Sequence, residues 1–344
     1  MKAGKRLGVA PQDLIRRYGM LLVLLVMVAF ASLLSDRFFT TANLLNVTRQ
    51  VAINAVLAAG MTIVIISGGI DLSIGSVVAI SGALGAGLMA GGAGWFAGVL
   101  VTLLVGLALG ITNGLFIAYG QLPPFIVTLA TMALARGFTQ VYTGGRAIHV
   151  TNQTFQWFGH GYLGSIPVPV IIMVVVYILG YLFVKHTKLG RLVYAVGGNE
   201  QACRMAGIRV NRVKVAIYGI NGLLAGLVGV ILTARLFSAQ PTAGVSYEMD
   251  AIAAVILGGT SLSGGRGNIG GTIIGALIIG VLGNVFNLLN VSPFYQDVAK
   301  GLVILVAVLL DRLLHAGGRT FRKEVESSGD KQGPSADPAQ TAQV

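Results

Sequence analysis

Val51–Ser76 reads VAINAVLAAGMTIVIISGGIDLSIGS. As far as Ile66 it is apolar apart from Asn54 and Thr62, and a run near 20 apolar residues is what a helix needs to cross hydrocarbon. The run then breaks into three glycines, an aspartate and three serines within Ser67–Ser76. Asp71 is the only acidic residue between Asp36 and Glu200. A carboxylate at the centre of a bilayer costs about 2.5–3.5 kcal/mol on insertion scales, so its presence requires a reason. Two are available. At the junction of two spans, Asp71 or Ser73 can cap the following helix; or Asp71 can serve a polar path, the usual role of an ionisable residue within spans.

The same pattern runs outward along the chain. The protein has 344 residues, 55% hydrophobic and 10% charged, where a soluble domain carries about 25% charged residues. The expected fold is all-α, a polytopic membrane helix bundle of about ten transmembrane helices near 18–34, 47–67, 72–90, 95–118, 123–143, 167–184, 213–233, 249–264, 269–289 and 294–311. Glycines four apart (Gly106, Gly110 and Gly114; Gly222 and Gly226; Gly271 and Gly275) are spaced to let helix backbones meet in lipid. A second pattern, Gly68-Gly69-x-x-Leu72-Ser73-x-Gly75, recurs as Gly258-Gly259-x-x-Leu262-Ser263-x-Gly265.

The net charge of +12 is concentrated in three places. Lys2, Lys5, Arg6, Arg16 and Arg17 precede the first span; Lys185 to Lys214 share one central loop; Arg312 to Lys331 follow the last span. Basic residues gathered in loops on one side are the positive-inside pattern. It places both termini and the 185–214 loop in the cytoplasm, and six spans followed by four give the same parity. No aromatic-interleaved basic domain is present, which excludes a nucleic-acid partner. Residues 1–17 read as a cytoplasmic segment, 18–314 as the permeating domain and 315–344 as a disordered cytoplasmic tail. Met20–Phe30 followed by Ala29-Phe-Ala31 resembles a signal peptide, but the apolar run continues to Leu34 and reads as a retained span. With one cysteine, Cys203, and with His149 and His160, two of the four histidines, eleven apart and without a nearby cysteine or acidic partner, the sequence reads as holding no metal site, and it suggests no cofactor.

The 185–214 loop contains GGNEQACRMAGI (Gly197–Ile208). Asn199 is placed to cap a short helix over Glu200–Ala206, Gly207 to end it, and Glu200 and Arg204 to pair at i, i+4. Seven residues make a rod about 10 Å long. This stretch, SGGIDLSIGS (Ser67–Ser76) and SAQPTAGVSYEMDAIAAVILGGTSLSGGRGNIGGTIIGA (Ser238–Ala276) together resemble the ribose-type sugar ABC transporter permeases, over nearly the whole chain from about Leu33 to Asp311. The resemblance implies an importer subunit of the bacterial inner membrane, surrounded by lipid and paired with a second permease copy, identical or paralogous. It also implies a cytoplasmic ABC ATPase docked on Gly198, Asn199, Glu200, Ala202, Arg204, Ala206 and Gly207, and a periplasmic sugar-binding protein delivering a monosaccharide. Ribose is the first choice; xylose, galactose, inositol and autoinducer-2 are served by similar permeases. The chain itself is expected not to be an enzyme: its single Gly-Lys pair, Gly4-Lys5, lies in no phosphate loop, and there is no G-x-S-x-G elbow.

Polar residues within spans are the candidates for a path: Asn54, Asp71, Ser73, Asn113, Asn221, Asn284 and Asn287. Amides can exchange hydrogen bonds with sugar hydroxyls, or they can hold helices together. An ion-coupled secondary transporter, the other reading, calls for several acidic residues within spans, and only Asp71 qualifies even loosely. Arg235 lies across a loop from Glu248 and Asp250, where a charge pair, docking of the periplasmic partner and snorkelling are the readings, snorkelling first, and Arg136 also reads as snorkelling.

Overall fold

The computed structural model describes residues 11–306 and 309. Met1–Ile304 forms one compact unit, and Leu305–Val344 a second that lies almost wholly outside the described residues, as do the 315–344 tail and the first ten residues. The chain runs through α1 (Pro11–Leu34), α2 (Thr41–Ile66), α3 (Ile74–Ala90), α4 (Trp95–Ala118), α5 (Pro124–Thr143), α6 (Gln153–His160), α7 (Val168–His186), α8 (Lys188–Gly198), α9 (Glu200–Met205), α10 (Val210–Leu236), α11 (Tyr247–Leu257) and α12 (Ile269–Leu288). A last helix, α13, is described over 293–306. Two antiparallel ladders of two residues a side interrupt the all-helical plan: β1 (Ile148–His149) pairs with β4 (Ser238–Ala239), and β2 (Tyr162–Leu163) with β3 (Ile166–Pro167).

Among the described residues, six helices are long and apolar enough to cross a membrane: α2, α4, α5, α7, α10 and α12. Most of the expected spans fall on a helix. The eighth, 249–264, needs correction, because α11 has only 11 residues, about 16 Å at 1.5 Å per residue, half of a hydrocarbon core. The Gly/Ser-rich stretch from Gly258 to Gly267 carries three left-handed glycines, Gly259, Gly264 and Gly265, and cannot continue it.

α2 is the core. Every residue from Val51 to Ile66 is buried, as expected of a helix that is apolar all round. α7, α10, α11 and α12 pack on it. α4, α5 and α7 turn apolar faces outward, with Leu104, Phe138, Val141 and Leu179 all more than half exposed. The glycine spacing acts as expected. Gly106 and Gly110 of α4 lie against Gly222 of α10 so closely that a Cβ on any of them would strike the facing backbone, while Gly271 and Gly275 of α12 do the same against α11.

α2 ends in a Schellman turn: Gly68 takes φ 82°, its N–H reaches Ile65 O at 2.9 Å, and Gly69 N–H reaches Val64 O at 3.1 Å. α11 ends identically, with Gly259 at φ 82° and bonds from Gly259 to Ile256 and from Thr260 to Val255. The two turns therefore superpose Gly68 on Gly259, one residue out of register with the repeated letters, in which Gly68 matches Gly258. Backbone geometry, not the motif, relates the two ends.

α8 was not foreseen: its two terminal glycines and polar flanks read as loop. Thr187 Oγ1 caps it by accepting from Gly190 N–H at 2.9 Å, and Val193 and Val196 bury against the core beside Ile66 and Val213.

Candidate functional site

Four of the seven polar residues expected to serve a path meet at one point. Asp71 Oδ1 accepts from Ser73 N–H (2.9 Å) and Ser73 Oγ (2.6 Å), and Oδ2 accepts from Asn221 Nδ2 of α10 (2.8 Å). Asn113 Nδ2 of α4 donates to Ser73 Oγ at 2.9 Å, and Thr131 of α5 donates to Asn113 Oδ1 at 2.6 Å. Asp71, Ser73, Asn113 and Asn221 are each no more than 1% exposed. Below them, Tyr218 OH donates to Ile70 O at 3.1 Å. Gly60 leaves the space that Asn221 fills.

The capping expectation is corrected here. Ser73 is the N-cap residue of α3 but makes no side-chain cap bond, because its hydroxyl is committed to Asp71. Asp71 bonds the Ser73 N–H ahead of the helix and reaches across to α10, so it organises the junction instead of capping α3. Three donors spread over both oxygens match the acceptor-only character of a carboxylate.

The other three path candidates lie elsewhere. Asn54 Nδ2 approaches Asp250 Oδ2 at 3.5 Å, and Lys300 Nζ bridges the Asp250 oxygens at 2.9 and 3.1 Å. Asn284 exchanges bonds with Asn43 at 2.7 and 3.1 Å, and Asn287 accepts from Gln296 at 3.0 Å. Thr131, Asn43 and Lys300 were missed by sequence reasoning: nothing in their local sequence distinguishes them, and only the packing of α5, α2 and α13 brings them to these partners.

The second feature is α9. Asn199 Oδ1 accepts from Ala202 N–H at 2.9 Å, and Gly207 takes φ 78° just past the end. Glu200 pairs with Arg204 at 2.9 Å and with Lys214 of α10 at 2.8 Å, while Arg204 Nη2 also reaches Asn211 Oδ1 at 3.0 Å. Cys203 alone is buried. Ala202, Met205 and Ala206 are exposed, Met205 by 83%. Thus α9 is fixed to α10 on one side and presents a small apolar face on the other. Burial alone would raise the Glu200 carboxyl, but hydrogen bonds and charge from Lys214 and then Arg204 outweigh it and hold the carboxyl below its ordinary value.

The third feature is the segment between α10 and α11. Arg136 of α5 does not snorkel: its Nη1 donates to Pro241 O at 2.9 Å and Ala243 O at 2.8 Å, and Glu248 supplies the nearby opposite charge. Arg235 makes no ion pair with Glu248 or Asp250 among the described residues; Asp250 is held by Lys300.

An open apolar groove of about 330 Å³ between α4 and α10, lined by Leu107, Ile111, Ala216 and Leu223 among others, contains none of the polar centre. No group of His, Cys, Asp or Glu suited to a metal ion occurs among the described residues.

A bundle of long apolar helices enclosing a mainly neutral hydrogen-bonding centre, with a capped, charged helix fixed at one end, has the form of a multi-pass membrane permease. The chain belongs to the permease family described as "Branched-chain amino acid transport system / permease component", whose model matches residues 43–308. It is 54% identical to the ribose import permease RbsC of Bacillus subtilis (strain 168) over 299 residues, 86% of this chain and 93% of that one. It is 49% identical to RbsC of Escherichia coli (strain K12), covering 85% and 92% of the two chains. It is 39% identical to the D-allose transport system permease AlsC of Escherichia coli (strain K12), covering 87% and 92%. No solved structure matches it. The resemblance seen in the three sequence motifs is borne out.

Proposed function

We propose that this chain is the membrane-spanning subunit of an ATP-driven importer that carries a monosaccharide, ribose first, from periplasm to cytoplasm across the inner membrane. The observation that carries the reading is the 54% identity over 86% of the chain to a ribose import permease. The chain crosses about ten times with both ends cytoplasmic, some crossings being completed by short helices and irregular backbone. Such backbone is tolerated at membrane depth where protein buries it, as at Asp71. Two permease copies, identical or paralogous, form the pathway. A cytoplasmic ATPase docks on α9 through Ala202, Met205 and Ala206, with Gly198, Asn199, Glu200, Arg204 and Gly207 shaping that helix. A periplasmic binding protein delivers the sugar. The Asp71–Ser73–Asn113–Asn221 centre lies on or beside the path, where its bonds suit hydroxyls. The allose relative and an L-arabinose permease at 36% identity favour a second reading, an importer for another aldose.

Proteoliposomes holding the chain with its ATPase and binding protein will accumulate labelled ribose only when ATP is inside the ATPase compartment and both partners are present. Uptake by the chain alone, without ATP, overturns the proposal; uptake of arabinose or allose in preference to ribose selects the second reading.

Glu200→Lys sets a third cation beside Arg204 and Lys214. For half-exposed pairs at about 0.3–1 kcal/mol each, ATPase affinity in a pull-down titration will fall roughly 3- to 30-fold. The folded carboxyl titrates lower than the unfolded one, so the contribution of the pairs is complete above the ordinary carboxylate range and is lost only as pH falls through the lowered value. ATPase binding will therefore be flat across neutral pH and weaken only in acid. A fall in affinity between pH 8 and 6 in the wild type, absent in Glu200→Gln, would contradict this assignment.

A further inference from the structure

The segment joining α10 to α11 is held at strained positions. It leaves α10 at Phe237 (φ 55°) and enters α11 at Ser246 (φ 64°), both left-handed and neither glycine. Such residues are strained and persist only where the surroundings impose them. At the first end, β4 pairs with β1, Val150 N–H donates to Phe237 O at 2.9 Å, and His160 stacks on the Phe237 ring with centroids 4.4 Å apart. In the middle, Gly244 lies backbone to backbone against Gly75, in the first turn of α3, with no room for a Cβ on either. Gly75 is two residues from Ser73, so the segment abuts the polar centre. From the other side, the Arg136 guanidinium bridges Pro241 O and Ala243 O.

α5 carries this guanidinium and also carries Thr131, whose hydroxyl enters the polar centre through Asn113. The rest of α5 is lightly held. It packs on α3 and less on α4, and turns Phe125, Leu134, Phe138 and Val141 outward. One weakly packed helix therefore ties the segment to the centre through two polar side chains. The acceptors of Arg136 are neutral carbonyls, and bonds to carbonyls are weaker than the paired bonds of an Arg–carboxylate fork. The hydroxyl of a solute can replace them one for one.

We infer that Arg136 is a latch: its two bonds hold the 237–246 segment closed against α3 and the polar centre, and their release lets α5 part from α3 to admit a polyhydroxylated solute, whose hydroxyls take over Pro241 O and Ala243 O. The solute named here rests on the proposed function; the latch does not. Arg136 positions the segment and takes no part in chemistry. A lysine in its place reaches one carbonyl at a time, lacking the planar fork.

The test uses the full chain in liposomes with its one cysteine removed (Cys203→Ser) and Ser76→Cys placed in the first turn of α3, where Ser76 is buried. A membrane-impermeant methanethiosulfonate is added to either side. With Arg136 present, the thiol is protected. Arg136→Ala will raise labelling from the periplasmic side at least about ten-fold, equivalent to about 1.4 kcal/mol, and Arg136→Lys will fall between. In the reconstituted complex, Arg136→Ala will also raise ATPase activity several-fold without binding protein. An unchanged labelling rate in folded Arg136→Ala protein overturns the latch. If Arg136→Ala does not fold, Arg136→Lys decides: faster labelling supports the latch and an unchanged rate overturns it. The labelling involves neither sugar nor ATPase, so faster labelling with no ribose uptake in the wild-type complex would leave the latch standing and remove the transport reading.

Discussion

Gly197→Ala will abolish coupled uptake while leaving the ATPase bound, and Gly198→Ala, one residue further on, will leave both uptake and ATPase binding intact. A Cβ on Gly197 would lie 2.6 Å from Gly265 N and closer still to Ile66 O. These two atoms already bond each other, Gly265 N–H to Ile66 O, at 2.8 Å. The last turn of α8 is thus wedged between the end of α2 and the turn after α11, with backbone on every side, and Tyr194 OH of α8 anchors it again at Gly267 O, 2.9 Å away. Backbone cannot rotate aside as a side chain can, so one methyl forces the elements apart, at about 1–3 kcal/mol for overpacking of this kind. A Cβ on Gly198 meets nothing within 4 Å. Both substitutions gain the same helix propensity, about 0.5–1 kcal/mol, so the difference between them isolates the wedge. Since α9 follows directly on α8, the wedge joins the proposed ATPase-docking helix to the end of α2 at Ile66, five residues before Asp71. Uptake, ATPase activity and ATPase binding are to be measured together on both variants; equal uptake by the two would show that the junction transmits nothing.

Asp71→Leu will destabilise the fold and eliminate uptake, whereas Asp71→Asn will preserve both. Leucine leaves Ser73 N–H, Ser73 Oγ and Asn221 Nδ2 without an acceptor in a place water does not reach. At about 0.6–1.5 kcal/mol per bond the loss is roughly 2–4 kcal/mol. The asparagine variant keeps an acceptor for Ser73 N–H. Its amide N–H₂ can donate to Asn221 Oδ1, which has no partner in the present arrangement, once the Asn221 amide turns over. Thermal melting in detergent should place Asp71→Asn within about 1 kcal/mol of wild type, with uptake within about threefold. A folded Asp71→Asn protein without uptake would mean that the charge itself is required.

These two sites differ in how much of them could be read from letters. Apolar runs, the breaks at glycine and the basic loops were visible because they are local and because lipid imposes length and charge placement on each span separately. α9 was legible for a related reason: Asn199, Glu200, Arg204 and Gly207 act within one turn or two, and the i to i+4 pair is formed as expected. α8 was not, because its stability comes from Val193 and Val196 packing on the core and not from its own propensity. The short α11 was overread as a span because its hydropathy continues past Leu257 while its glycines do not allow a helix to continue.

The polar residues separate in the same way. Their positions along the helices are in the sequence; their association is not. Asn54, Asn284 and Asn287 looked as eligible as Asn113 and Asn221, yet only the latter two join the centre, Asn221 on Asp71 itself and Asn113 through Ser73. The glycine interlock of α4 with α10 sets the depth at which Asn113 and Asn221 stand, and the Schellman turn after α2 directs the chain toward them. Arg136 changed most, from an outward-lying cation to a bridge over two carbonyls. The sequence by itself determined a helical membrane bundle, its family and a capped charged helix in the central loop, because these follow from hydropathy and contacts within a few residues. Tertiary structure alone decided which polar groups share a centre and what closes against it, because those contacts join different helices, from Thr131 and Asn113, 18 residues apart, to Asn221 and Asp71, 150 apart, and the glycine spacing visible in the letters does not say which helix each glycine meets.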